Sequence, residues 1–134
     1  MKLSTRFGLV GLGGLALLTA VQWIRQQDLH PGRVGSYLIG VGPNFAAAIA
    51  ITFVLLGAWL DQTPADDAQD IVRRFRVCAA ISCSGLIAWE CVQMFSRALV
   101  FDWRDVLATL AGIAVSIVLF AALRPGAVRE PEAP

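Results

Sequence analysis

Four long apolar runs make up most of this chain, and nearly all of its charge lies between them. They cover about 7–24, 36–60, 77–95 and 106–123. A helix needs roughly 20 apolar residues to cross a hydrocarbon core, and each run is close to that length or beyond it. The pattern predicts an all-α fold: an integral membrane helical bundle with four transmembrane helices, formed as a single domain by residues 1–134. Hydrophobic residues reach 57% and charged ones only 16%, above and below ordinary globular usage respectively.

Lys2 and Arg6 precede the first run, a start that fits a retained helix or a signal peptide. Leu18 occupies the −3 position before Ala20, a poor cleavage site, so the expectation is a retained helix. Gly11, Gly13 and Ala16 match a lone GxGxxA, but no strand-then-helix context surrounds it. Small residues that let helices approach closely are the better reading. The polar break that follows holds His30-Pro31-Gly32, and His30 reads as a loop residue.

The second run contains Pro43, which lacks a backbone donor. Either a helix starts at Pro43-Asn44 or a longer helix kinks there. Gly42, Ala46, Ala50 and Ala58 recur at multiples of four and predict a packing ridge. The connection 61–76 is first acidic (Asp61, Asp66, Asp67, Asp70) and then basic (Arg73, Arg74, Arg76). Ile71, Val72 and Phe75 lie among the basic residues, which predicts a short amphipathic helix on the membrane surface. The aspartates lack calcium-loop spacing and read as a solvated loop. The tail 124–134 carries three of the six prolines and is expected to be disordered.

Several functions are excluded or left without support. A net charge of +1 offers no basic field for nucleic acid. Cys78, Cys83 and Cys91 share one run and read as free thiols, not as a disulfide framework or zinc site. With one histidine, no nucleophile–base pair and no phosphate loop, the chain does not read as an enzyme. No metal or other cofactor is expected. Lysines and arginines set the orientation. Lys2, Arg6, Arg73, Arg74, Arg76, Arg124 and Arg129 share one side, against Arg25, Arg33, Arg97 and Arg104 on the other. This bias predicts cytoplasmic termini in a bacterial inner membrane.

Charge inside the runs is concentrated in one place. Glu90, Gln93 and Arg97 close the third run on one helical face. Asp102, Asp105, Thr109, Gly112 and Ser116 open the fourth at a 3–4 spacing. Glu90 lies five residues before Phe95, roughly 7–8 Å from the end of that run. A charged residue at a helix centre costs about 2.5–3.5 kcal/mol. A short linker predicts antiparallel neighbours whose polar stripes face each other. Asn44 falls on the same side of the membrane. Trp89 and Trp103 read as interfacial anchors. One reading is a structural clasp, with Arg97 neutralising acids and Asp102 or Asp105 capping a helix. The other is a small polar pocket for a lipid headgroup, a drug-like molecule or a proton.

Glu90-x-x-Gln93 followed by Asp102-x-x-Asp105-x-x-x-Thr109-x-x-Gly112 resembles the C-terminal signature of the VanZ-like family of small bacterial membrane proteins. That signature covers about a quarter of the chain. Thr109 stands where the family has Asn, Ser116 where a second Gly is frequent, and Arg97 falls about two residues early. The first-half Asp-Lys and His features are missing, and Pro43-Asn44-Phe45 stands in their region. The resemblance implies a divergent, multi-helix member of a family whose namesake is linked to teicoplanin resistance. The function expected from it is non-enzymatic: a polar outer-leaflet cluster of Glu90, Gln93, Arg97, Asp102, Asp105, Thr109 and Asn44, binding a lipid or antibiotic-like ligand at the cell envelope. The alternatives are a structural or partner-binding subunit and a small proton-coupled carrier. Membrane lipids are the expected partners, together with a protein partner or a second copy of the chain.

Overall fold

Each apolar run folds as a helix; the first two helices extend past their runs at both ends, and the last two only at the start. A computed structural model describes residues 1–27, 32–95 and 102–124. Within them α1 is Leu3–Gln26, α2 is Gly32–Gln62, α3 is Ala68–Gln93 and α4 is Trp103–Leu123. All four are long and apolar enough to cross a membrane, and the described residues contain no strand. The protein is an all-α, multi-pass membrane bundle. The expectations for His30, for Arg97 and for the tail beyond Arg124 fall outside the described residues.

The helix α2 is the centre of the bundle. Its 31 residues give a length of about 46 Å at 1.5 Å per residue, against a hydrocarbon core of about 30 Å. It runs unbroken through Pro43, so the longer-helix alternative holds. It begins at Gly32, whose φ of +76° is readily adopted only by glycine. The most extensive packing is α1 on α2, followed by α4 on α2; α2 with α3, and α3 with α4, pack less extensively. α3 and α4 are neighbours, as their short linker predicts, but α2 is the main neighbour of α4, and both stripes also meet α2: Glu90 through Asn44, Gly112 through Phe45 and Ala48.

Small residues explain that choice. A Cβ added to Gly112 of α4 would lie 2.6 Å from the Phe45 carbonyl oxygen and 2.8 Å from Ala48 Cβ. One on Gly14 of α1 would lie 2.9 Å from the Ala50 backbone, and one on Gly11 2.7 Å from Val54 N. The backbones approach to a distance that only glycine permits. The ridge predicted along α2 holds at Gly42, Ala46 and Ala50. It then continues at Gly57, buried against Gly8, and not at the exposed Ala58. With 3.6 residues per turn, a strict four-residue step drifts off the face, and two turns from Ala50 reach Gly57.

The segment 68–76 is not a separate surface helix. Asp67 accepts a hydrogen bond from Asp70 N at 2.7 Å and caps α3. From Ala68 the helix runs straight into the apolar run. Arg74, 5% exposed, turns inward. It donates to the Thr63 and Pro64 carbonyls, pairs with Asp70 at 2.6 Å and lies over the Trp59 ring. This latch ties the α2–α3 turn to α3. Asp70 precedes the apolar run, and the hydrogen bond from Arg74 holds its carboxyl below the usual carboxylate range.

Beside the latch lies an aromatic layer to which each helix contributes one ring. Phe7, Phe53, Phe75 and Phe120 are all buried. Phe75 stacks on Phe120 with ring centroids 4.1 Å apart, and Phe7 lies 5.8 Å from Phe53 and 5.6 Å from Phe120. Such pairs contribute about 0.5–1.5 kcal/mol each beyond the area they bury.

Candidate functional site

At the opposite end of the bundle from the phenylalanines, Glu90 of α3 is 2% exposed. The helix ends at Gln93, so Glu90 lies three residues, about 4–5 Å, from its terminus. That is shallower than the expected depth. Trp89 beside it is exposed, as are Trp23 near the end of α1 and Trp103 at the start of α4. These three indoles form an aromatic belt at one end of the bundle, so Glu90 sits near the headgroup level while buried in protein.

Two amides serve one carboxylate oxygen. Asn44 Nδ2 donates to Glu90 Oε1 at 3.0 Å, and Gln93 Nε2 donates to the same oxygen at 3.0 Å. Glu90 Oε2 is buried without a hydrogen-bond partner. Pro43, immediately before Asn44, has no N–H to give the Ile39 carbonyl one turn earlier, so α2 carries a freed acceptor in this region.

The other predicted site residues are divided. Asp102 accepts from Arg104 N at 2.9 Å and is the N-cap of α4. Asp105 lies in the first turn of α4, within electrostatic range of Glu90, Asp102 and Arg25. Thr109 and Ser116 are fully buried. Their hydroxyls bond back to the Asp105 and Gly112 carbonyls of their own helix at 3.0 and 2.9 Å. With Gly112 they form the face on α2, and they are packing residues more than ligand groups. Among the described residues, no three histidine, cysteine, aspartate or glutamate side chains are placed to hold a metal ion.

Above Asp105 an open cavity of about 310 Å³ lies between α1, α2 and α4. Arg25, Tyr37, Gly40, Asp102, Arg104 and Asp105 line it. Sequence reasoning missed Arg25, Tyr37, Gly40 and Arg104 as site residues. Arg25 and Tyr37 flank the break between the first two runs while Arg104 precedes the fourth, and only the packing of α1 and α4 on α2 brings them together. The one available signal was the approach of charge to the ends of three runs on one side.

No family model, curated protein or solved structure matches this chain.

Proposed function

We propose that this chain is a non-enzymatic, VanZ-like protein of a bacterial inner membrane, with cytoplasmic termini and a polar site at the outer face that binds an amphiphile by its headgroup. The observation that carries this reading is Glu90. A carboxylate 2% exposed, with one oxygen doubly served by amides and the other bare, is costly to bury. It is completed by a donor from outside, either a proton or an N–H or O–H of a ligand. Its level near the Trp23, Trp89 and Trp103 belt is where lipid headgroups lie.

The test is native mass spectrometry of the protein extracted in mild detergent. The wild type should retain a bound amphiphile that Glu90→Gln loses while remaining folded. A wild type free of any bound molecule would end this reading.

One observation favours a second reading, a clasp. The Asn44–Glu90 bond joins α2 to α3, the pairing with the fewest other means of attachment to the centre. On that reading Glu90→Gln and wild type carry the same molecules, and only stability responds to Glu90→Ala.

A further inference from the structure

The cavity between α1, α2 and α4 reveals which headgroup fits, an inference that rests on the reading above. We infer that it takes a zwitterionic aminophospholipid headgroup, with the phosphate against Arg25 and Arg104 and the primary ammonium against Asp102 and Asp105.

Charge is the first argument. Two cations and two anions line one small space. Among the described residues the ion pairs within 4.0 Å are Arg73–Asp70 and Arg74–Asp70, both at the far end of the molecule. The four charged groups of the cavity form no ion pair with one another. Arg104 stands over the Tyr37 ring at 5.5 Å, a contact that orients its guanidinium, whose planar fork of N–H groups suits a phosphate. Glu90 stands behind Asp105 as a further negative group, buried and with its Oε2 bare. A cation entering here meets negative charge that the fold leaves unneutralised among these residues.

Size and level are the second argument. A volume of about 310 Å³ falls at the lower end of the roughly 300–1,000 Å³ range for ligand pockets, which suits a headgroup better than a large antibiotic. The lining comes from the last turn of α1, the early turns of α2 and the first turn of α4, beside Trp23 and Trp103. A lipid's phosphate and amine lie at that depth, with acyl chains continuing down the outside of the bundle.

The amine class follows from donors. A primary ammonium has three N–H groups for carboxylates. A quaternary ammonium has none and relies on an aromatic cage, whereas Tyr37 is the one aromatic among the described lining residues. An anionic lipid without an amine leaves Asp102 and Asp105 facing its phosphate.

Gly40 makes the test clean. It lines the cavity, and a Cβ added there meets nothing within 4 Å. Gly40→Leu therefore starts a side chain in open space at the cavity wall. The measurement is tryptophan fluorescence of the full chain in detergent, titrated with short-chain phosphatidylethanolamine, phosphatidylcholine and phosphatidylglycerol, and with soluble phosphoethanolamine. Melting temperature is recorded for each variant.

Phosphatidylethanolamine should bind at least tenfold more tightly than the other two lipids. Gly40→Leu should weaken it tenfold or more without lowering the melting temperature. Asp105→Asn should reduce it to the phosphatidylcholine level. Soluble phosphoethanolamine should bind at least a hundredfold more weakly than the lipid. Equal binding of the three lipids, or phosphatidylethanolamine binding untouched by Gly40→Leu, overturns the inference. Phosphoethanolamine binding as tightly as the lipid overturns the lipid as its source. If Glu90→Gln weakens all three lipids alike while Gly40→Leu and Asp105→Asn do nothing, the amphiphile reading survives and the aminophospholipid inference falls. No lipid binding by wild type ends both.

Discussion

Asn44 and Glu90 are 46 positions apart in the chain, and their side chains meet at 3.0 Å across the α2–α3 boundary. The bond satisfies half of the carboxylate. Oε1 takes this amide and that of Gln93, and Oε2 takes neither. Glu90→Gln keeps an acceptor oxygen for both amides and removes the burden of a buried charge. It should therefore melt at or above the wild-type temperature. Asn44→Leu removes a donor to a buried carboxylate and should cost about 1–3 kcal/mol. Thermal melts in detergent decide both. A Glu90→Gln variant that melts well below wild type would show that the charge itself holds the helices together.

Glycines on and off the interfaces should respond with opposite signs. At Gly112 the added methyl of alanine would meet the Phe45 carbonyl and Ala48 Cβ, both fixed parts of α2. Gly112→Ala should force α4 away from α2 at a cost of about 1–3 kcal/mol. At Gly13 a Cβ meets nothing within 4 Å, so Gly13→Ala should gain about 0.5–1 kcal/mol from helix propensity. Unfolding curves of the two variants test this pair, and a destabilised Gly13→Ala would contradict the α1–α2 packing described.

The latch at the start of α3 should respond to acid. Arg74 holds the Asp70 carboxyl below its ordinary value of 3.8. A depressed carboxylate contributes stability that is fully present above the unfolded value and is lost as pH falls through the folded one. The contribution of Asp70 should thus persist at pH 4 and above and fade only below 3.8. Melting temperatures of wild type and Asp70→Asn, measured between pH 2 and 7, should differ most at neutral pH and converge in acid. A constant difference across that range would remove the linkage.

Orientation is tested by fusion. A fluorescent protein that matures only in the cytoplasm should fluoresce on the C-terminus, and a periplasm-dependent phosphatase should be active when inserted between α1 and α2. The opposite pair of results would place the Glu90 end of the bundle on the cytoplasmic side and remove the outer-face reading.

Much of this arrangement was legible in the chain. Long apolar runs specify helices because the bilayer leaves backbone groups no other common partner, and α1 to α4 coincide with them. Glu90, Gln93 and Asn44 were identifiable because a polar residue within an apolar run must find company. Asp102 as a cap followed from its place before a helix. The phenylalanine layer was not legible. Phe7, Phe53, Phe75 and Phe120 are ordinary apolar residues whose meeting depends on all four helix pairings at once. Arg74 was read as a surface charge because its buried partners, the Thr63 and Pro64 carbonyls, are backbone atoms that no side-chain pattern advertises. The short linker does make α3 and α4 neighbours, but it limits distance without ranking interfaces, and the larger one of α4 is with α2. The glycine at 112, fitted to the backbone of α2, does the ranking.

The aromatic layer also limits how this molecule can move. Along α2, Phe53 lies nine residues, roughly 13–14 Å, from Asn44. Past that point the interior is filled by four rings packed on one another. In a bundle packed shut at its base and polar at its mouth, any parting of the helices would be easiest at the mouth, as in forceps. A guest held beside Glu90 would have no through-route and would leave by the opening it came in by. Such a shape favours a receptacle over a conduit, and it points mutational searches for altered release toward the mouth and away from the base.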